Sequence, residues 1–383
     1  MNREQLLSDL TRAFYDASRH KRNKPYQRLF AARLDKNLEA LCDELINRTY
    51  KPLPSTCFLI NDPKLREVFA ANFRDRIVHH LYYNYTHEWL ERTFIYDSYS
   101  CIKGRGTHFG IDRLEHHILC ESQNYSQRCY VLKMDIKGYF MHINRQRLLD
   151  ITLRQLRRLR QNFGSSLLDF LEYLSREIIL LNPTDGCIMK GNRAEWLHLP
   201  KEKSLFCSPL GCGLPIGNLT SQLFSNVFLN ELDQYMKREL KCKHYGRYVD
   251  DFYVVSCDRD FLRSLIPRVR YFLLQNLNLY LHEGKVRIYN ASFGVDFLGA
   301  YLKPYRRYVN NPTLHRIKKK LPLVEHETCP KHIQARLNSW LGIMGHYSST
   351  HLQRKLFLPM RTPWQYGRFV EKRSKLKYVL KEA

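Results

Sequence analysis

The sequence contains no apolar run near the ~20 residues that a membrane-spanning helix needs, so it is expected to lack one. Its 11 cysteines include no C-x-x-C pair. Cys207 and Cys212 are the nearest two, and no Cys/His pair follows them at zinc-finger spacing. Cys242 with His244 fails the same test, and His79-His80 and His116-His117 have no spaced partners, so these histidines are read as structural. Cysteines odd in number and irregular in spacing fit free thiols in a reducing, cytoplasmic setting rather than a disulfide framework. There is no internal repeat and no low-complexity linker. The N-terminus, MNREQLLSDL, is too polar for a signal peptide and too acidic for a transit peptide. Above all the chain is short of acid: 37 Asp+Glu stand against 62 Lys+Arg, a formal net charge of +25.

That excess must act on something, because uncompensated charge otherwise only repels itself. Phosphate backbones are the commonest partner, with a ribosome-like or membrane-surface role as the alternative. The basic residues are spread along the chain, which favours a folded, positively lined cleft over a disordered arm. With 383 residues, 44% of them apolar, the chain is too long for one ordinary module, and two or three packed subdomains are expected. Its 25 Tyr and 20 Phe make long disorder unexpected.

Periodicity places the elements. Two helices are predicted in 3–50, split by the basic break His20–Lys24, and Pro52 and Pro54 end that region. Residues 57–72 read as two strands around an Asp62-Pro63 turn, and RDRIVHHLYYNYTHEWLE returns to helix. CYVLKMD (129–135) is a short apolar strand, and a helix follows from about Arg145 through the Arg-rich stretch 153–160. Residues 182–212 form a long Gly/Pro-marked connection, and Gly217–Leu240 a long helix. HYGRYV-DD-FYVVS is a hairpin with both aspartates at its tip, 259–277 a helix, 279–302 short strands, and the chain from about 310 helical and basic to its end. The order predicts an α+β core with an all-helical tail.

Two adjacent carboxylates, Asp250 and Asp251, sit uneasily in one turn. Asp at a turn is ordinary, but like charges side by side raise a pKa unless a cation lies between them. Asp135, at the end of its strand, stands where active-site groups are often found. Together the three offer an all-oxygen ligand set for two Mg²⁺ ions, which use substrate phosphates as further ligands.

DIKGYF (135–140), GLPIGNLTSQ (213–222) and YVDD (248–251) resemble, in order and spacing, the palm motifs of reverse transcriptases. DPKLREVFAANFRDRIVHH (62–80) resembles the fingers strands and SYSCIKGRGTHFGI (98–111) the template-contacting motif. LHEGKVRI (281–288) resembles the palm segment with a mobile lysine, and FLGAYL (297–302) the primer grip. The resemblance covers about 55–305. RIVHHLYYNY, FIYDSYSCIKGRGTH, GLPIGNLTSQLFSNVFLNELDQYMKREL and RLNSWLGIMGH resemble the reverse transcriptases of diversity-generating retroelements in particular. Where retron and group II intron relatives usually carry Gln and Pro, this chain has Ile216 and Gln222.

The resemblance implies a right-hand polymerase of α+β class: fingers over 1–125, palm over 126–302 with a fingers-like insertion about 150–212, and a helical thumb over 303–383. It implies an RNA-directed DNA polymerase using two Mg²⁺ ions, with Mn²⁺ as a substitute. Asp135 and Asp250 become the metal ligands, with Asp251 nearby and the Ile136 carbonyl completing one site. Phe140 matches the steric gate against a ribose 2′-OH, the alternative being a buried core ring. Lys64 and Arg66 match the cations that clamp the triphosphate, together with Gln222 in the nucleotide-binding set. Gly217 is expected to let the backbone approach the template–nucleotide pair. Lys285 matches a lysine that protonates pyrophosphate, or is one more exposed lysine. Arg74, Arg76, Lys103 and Arg105 are candidate nucleic-acid contacts, although Arg76 equally suits a pairing with Asp75 or Glu67. Lys318, Lys319 and Lys320 fit a thumb gripping the primer–template backbone. The Arg-rich helix either binds structured RNA or an acidic partner, or is a solvated face.

Replacing a polar Gln by Ile216 removes a donor and an acceptor near the templating base. That accords with the misincorporation opposite template adenines that this group implies. Implied partners are the element's template RNA and its cDNA, dNTPs, and a small basic helical accessory variability protein, with no membrane. The length after residue 302 leaves no room for an RNase H or endonuclease domain, so cleavage is expected from another factor. The rivals are a retron-like or abortive-infection reverse transcriptase, and a basic RNA-binding scaffold without catalysis.

Overall fold

A computed structural model describes residues 2–61, 64–372 and 375–381. The expected Asp62-Pro63 turn therefore lies outside the described residues. Strands β1 (Thr56–Ile60), β2 (Arg66–Ala70), β3 (Tyr130–Asp135), β4 (Ile188–Met189), β5 (His244–Tyr248), β6 (Asp251–Ser256) and β7 (Arg287–Asn290) make two sheets, ordered β2-β1-β4 and β5-β6-β3-β7. The chain divides into two compact units, each discontinuous in sequence. One comprises Met1–Gly106, Met134–Phe252 and Arg263–Val286; the other comprises Thr107–Lys133, Tyr253–Leu262 and Arg287–Ala383.

The first unit opens with helix Arg3–Ser18, capped by the Asn2 side chain and burying Leu6, Leu10, Ala13, Phe14 and Ala17 at helical spacing. The single long helix expected after the basic break is instead two, Pro25–Ala31 and Leu34–Ile46. The backbone breaks at Arg33 (φ −135°, ψ 47°). The break lets the two pieces bury different faces. Phe30 stacks on Phe14 with centroids 6.0 Å apart, while Leu38, Leu41, Cys42 and Leu45 form the buried stripe of the second piece.

β1 and β2 pair antiparallel from Thr56↔Ala70 to Ile60↔Arg66. The long connection after residue 182 folds back onto them: β4 runs parallel to β1, with Thr56↔Ile188 and Cys57↔Met189. Buried Glu67 holds this connection. Its carboxylate accepts hydrogen bonds from Trp196 Nε1 (2.9 Å), Ser204 Oγ (2.9 Å) and the Leu205 N–H (2.7 Å). A buried carboxylate with three donors and no cation is unusual, and these donors are what make its burial tolerable.

The central helix of this unit is Leu219–Gln234, which buries nearly its whole circumference. It starts two residues later than the sequence pattern predicts. Gly217 takes φ +127°, and the Asn218 side chain accepts from the Ala71 N–H (3.1 Å), tying the turn to the end of β2. Helix Arg145–Arg158 packs against it. The arginines there are neither free nor simply solvated: Arg157 places a fork on Glu172 (2.7 and 2.8 Å) and Arg154 pairs with Glu231 (2.9 Å). Arg158 and Arg160 stay exposed.

In the second unit, β7 pairs antiparallel with β3 from Tyr130↔Asn290 to Lys133↔Arg287. β8 (Val295–Phe297), β9 (Ala300–Lys303) and β10 (Arg306–Val309) follow as an antiparallel meander. Helices Asn311–Glu325, Pro330–Met344, Thr350–Phe357 and Thr362–Tyr366 come next, with Ile317, Ile333, Leu337, Leu341 and Phe357 in their core. The tail is not helical to its end. β11 (Gly367–Lys372) and β12 (Lys375–Leu380) form a hairpin. Leu376 and Tyr378, two residues apart, are buried between exposed lysines, a period of two that favours a strand. No helix among the described residues is long and apolar enough to cross a membrane.

Gly217 is held by the fold itself. A Cβ there would lie 2.8 Å from Val68 Cγ1 and 2.9 Å from the Phe69 carbonyl oxygen. The valine can shift, but the β2 backbone cannot, and positive φ adds strain for any other residue. Gly217→Ala is therefore expected to destabilise the protein by about 1–3 kcal/mol in urea unfolding. A loss indistinguishable from zero contradicts this packing.

Candidate active site

β3 delivers Asp135. Val131, Leu132 and Met134 are fully buried, so the strand is anchored up to its last residue. Beyond it the backbone is tied on both sides. The Ile136 N–H donates to the Asp250 carbonyl (3.3 Å), the Lys137 N–H to the Tyr280 carbonyl (2.9 Å), and the His282 N–H to the Asp135 carbonyl (2.8 Å). Three separate stretches of chain thus meet at one point.

The hairpin differs from the expected form. Val249 and Asp250 make the two-residue turn, and Asp251 is the first residue of β6. A two-residue hairpin loop needs positive φ, usually supplied by Gly or Asn. Here Val249 supplies it, at φ 56°, an uncommon conformation for a β-branched residue.

The electrostatics of this meeting point are severe. Burial pushes the Asp250 carboxyl up to about 7, and the neighbouring Asp135 charge adds to the shift. Asp251 raises it further, while Lys285 works in the opposite direction. Lys285 Nζ sits on both Asp135 oxygens, at 2.9 and 3.0 Å. It is therefore the counter-ion of Asp135 rather than one more free surface lysine. Among the described residues no three His, Cys, Asp or Glu side chains gather into a closed metal cage. Asp135 and Asp250 are the pair brought together. Asp251 opens β6 directly after Asp250, and its charge acts on that carboxyl. Two hard oxygen ligands around an under-compensated buried charge still suit Mg²⁺, which takes water and substrate phosphates for the rest.

Other expected residues belong to the same unit. Phe140 and Ile216 are both half-buried and pack against one small cluster of Cys57, Phe69, Met141 and Leu205. Backbone bonds fix both: the Leu214 N–H donates to the Phe140 carbonyl (2.8 Å), and the Phe69 N–H to the Ile216 carbonyl (2.9 Å). The space at Gly217 where a Cβ would stand is filled by β2, so the required close approach is to protein backbone. Lys64 and Arg66 are exposed, Arg66 opening β2. Gly217 and Gln222 line a cavity of about 600 Å³ with Lys21, Lys24, Arg76 and Lys190.

Several expected nucleic-acid contacts turn inward. Arg74 pairs with Glu44, donates to the Lys51 carbonyl (3.3 Å) and stacks over Tyr50 at 5.1 Å. Arg76 pairs with neither Asp75 nor Glu67: its Nε donates to the Ala71 carbonyl (2.8 Å), and its guanidinium lies over Tyr26 at 4.9 Å. Arg105 Nη1 donates to the carbonyls of Ile95 (3.2 Å), Tyr96 (2.8 Å) and Ser98 (3.1 Å), clasping its own loop. Lys103 is exposed, as are Lys318 and Lys319 of the second unit, where Lys320 is half-buried. One residue near the aspartates escaped the motif reading: Arg247, 0% exposed, with the Nε–Nη2 edge of its guanidinium on Asp233 at 2.8 and 2.7 Å.

The family model for reverse transcriptase (RNA-dependent DNA polymerase) matches residues 61–302. The chain belongs to the reverse transcriptase family. The matched span contains both aspartates of the meeting point, Phe140, Ile216 and Lys285, so these lie within an RNA-directed DNA polymerase domain. Protein YkfC of Escherichia coli (strain K12) is 24% identical over 305 residues, covering 71% of this reverse transcriptase and 72% of its own length. The apo telomerase of Candida tropicalis is similar with a TM-score of 0.48 and 11% identity, over 80% of this chain and 60% of that one. Its form truncated from the C-terminal domain gives 0.49 and 13%, over 70% and 59%. This reverse transcriptase thus spans about three fifths of the length of those telomerase chains.

The raised Asp250 pKa makes metal-free stability depend on pH. An Asp carboxyl ordinarily ionises near 3.8, and in the folded protein this one does so near 7. Between those values the folded state keeps a proton that the unfolded state has released. Stability therefore falls as pH rises through this window, and the loss is complete above 7. Asp250→Asn removes the titration. In EDTA, the Tm of Asp250→Asn minus that of the parent is expected to be larger at pH 8 than at pH 5. A gap of equal size at both pH values would refute the assignment.

Proposed function

We propose that this reverse transcriptase copies the template RNA of a diversity-generating retroelement into cDNA, with errors concentrated opposite adenines. The observation that carries the reading is the place of Ile216. It packs with Phe140 on one apolar cluster beside Gly217, so an apolar, β-branched side chain occupies a position where a polar contact would aid discrimination. A pocket that hydrogen-bonds its substrate rejects mispairs strongly, whereas an apolar wall rejects them weakly.

Asp135 and Asp250 are the side chains that would hold divalent ions, Mg²⁺ or Mn²⁺, with Asp251 and the Ile136 carbonyl nearby. When bound, such ions activate the primer 3′ hydroxyl and stabilise the departing pyrophosphate. The chain's own groups do the rest. Lys285 neutralises Asp135 in the free protein and would give its proton to the departing pyrophosphate. Phe140 excludes a ribose 2′-OH with its exposed edge. Lys64 and Arg66 hold the triphosphate, and Gln222 faces the incoming pair. Lys103, and Lys318 to Lys320 on the second unit, contact the nucleic-acid backbone. The division into fingers (1–125), palm (126–302) and thumb (303–383) belongs to the same reading. So do a small basic helical accessory protein and work in a reducing cytoplasm, with which the 11 free cysteines agree.

The test is extension of a primer on an RNA template with dNTPs, with the products sequenced. Asp135→Asn and Asp250→Asn are expected to reduce extension to background. Phe140→Ala is expected to raise ribonucleotide use about tenfold relative to deoxynucleotide use. Ile216→Gln is expected to lower errors opposite adenine several-fold while leaving errors at other bases little changed. An unaltered error spectrum in Ile216→Gln would sink the diversity-generating reading, and full activity in Asp250→Asn the catalytic one.

A further inference from the structure

Arg247 has no role in the reading above, yet it is the largest fully buried side chain of the protein. It lies on β5, three residues before Asp250, at a position where the alternating apolar pattern calls for a core residue. Its charge is met by Asp233, also 0% exposed, from helix Leu219–Gln234. Nε donates to Oδ1 (2.8 Å) and Nη2 to Oδ2 (2.7 Å), a bidentate fork. The Tyr245 hydroxyl donates to Asp233 Oδ1 as well (2.6 Å). The remaining donors are spent on fixed groups: Nη1 on Asn226 Oδ1 (3.3 Å) and on the Val249 carbonyl (3.0 Å), and Nη2 on Ser98 Oγ (3.3 Å). The Arg247 backbone is locked too, its N–H donating to the Asp97 carbonyl (2.9 Å) and its carbonyl accepting from the Tyr99 N–H (3.0 Å).

The bond to the Val249 carbonyl joins this clamp to the turn. Val249 stands at φ 56°, where a β-branched residue does not rest unless its surroundings hold it. Its carbonyl belongs to the peptide that carries the Asp250 nitrogen, so fixing that oxygen fixes the plane from which the Asp250 side chain departs.

We propose that Arg247, clamped by Asp233, is a positioning residue that holds Val249 in the left-handed region and thereby aims the Asp250 carboxylate at its metal. The fork supplies rigidity that a lysine lacks, since an ammonium cannot serve Asp233, Ser98 and the Val249 carbonyl from one plane. The inference rests on the reading of Asp250 as a metal ligand, and the experiment separates the two.

Mn²⁺ affinity is measured calorimetrically on the full chain without nucleic acid, together with Tm, for five variants. Asp250→Asn is the control: if it leaves Mn²⁺ affinity unchanged, the metal reading itself fails. With that control passed, Arg247→Lys is expected to weaken Mn²⁺ binding about tenfold, as loss of groups that orient metal ligands commonly does. Val249→Gly, free to adopt positive φ unaided, is expected to keep parental affinity. The decisive variant is Arg247→Lys with Val249→Gly: it is expected to recover most of the lost affinity while its Tm stays low. Should Arg247→Lys fail to fold, Arg247→Met with Asp233→Leu removes both buried charges together and reports on the same clamp. Weakened Mn²⁺ binding in that variant supports the proposal. Parental Mn²⁺ affinity in a folded clamp variant, or no recovery on adding Val249→Gly, overturns it.

Discussion

Two carboxylates held together away from water govern this structure. Asp135 and Asp250 repel each other, and burial penalises the Asp250 charge, so the folded chain has to impose an arrangement that the side chains oppose. A carboxyl moved from 3.8 to about 7 corresponds to roughly 4 kcal/mol of disfavoured ionisation. The protein meets this cost with backbone rather than with cations. The hydrogen bond from the Ile136 N–H to the Asp250 carbonyl, and those linking Asp135 and Lys137 to 280–282, hold three stretches of chain at the point of repulsion. Lys285 pairs directly with Asp135 and offsets the Asp250 shift only in part. An incompletely compensated carboxylate pair is the kind of charge that a divalent ion relieves.

Holding that pair makes the surrounding turn strained as well. A residue with two branches on its Cβ at positive φ costs about 1–3 kcal/mol, and Val249 takes that conformation one residue from Asp250. Strain of this kind persists only where neighbours over-determine the backbone. The buried Arg247–Asp233 fork does so through the Val249 carbonyl, and Ser98, clasped by Arg105, holds the fork in turn. Nothing else in the first unit buries a guanidinium completely among the described residues. The resources of the core are concentrated behind one turn.

How far this was legible in the sequence depends on range. Asp135 at a strand end and the YVDD hairpin follow from alternation within a few residues, and both stand where alternation put them. The exact turn did not follow, because Val249 is a poor turn residue by propensity and is held there by contacts more than 140 positions apart in sequence, such as Ser98 with Arg247. The break at Arg33 was hidden because both flanking pieces share one helical period. The final hairpin was hidden by a different error: basic residues were read as a helical face, although Leu376 and Tyr378 alternate with lysines. The arginines were the hardest. A sequence shows a positive charge but not its partner, so nothing in it placed the guanidinium groups of Arg74, Arg76 and Arg105 on Glu44, Tyr26 and three carbonyls.

Subtracting the internally satisfied arginines sharpens the meaning of the net charge. Arg74, Arg105, Arg154, Arg157 and Arg247 are committed within the first unit and contribute little to its outward pull. Lys21, Lys24 and Lys190 are not, and they meet Arg76 around the cavity that Gly217 and Gln222 also line. No acidic side chain lines that cavity among the described residues. Burial, and then the nearby Arg76 charge, push the Lys21 pKa down, the mark of cations gathered without a counter-ion. Like charges gathered in this way leave the cavity electropositive and suited to an anion. Part of the excess charge is thus not a diffuse coat but is gathered around one cavity of the first unit.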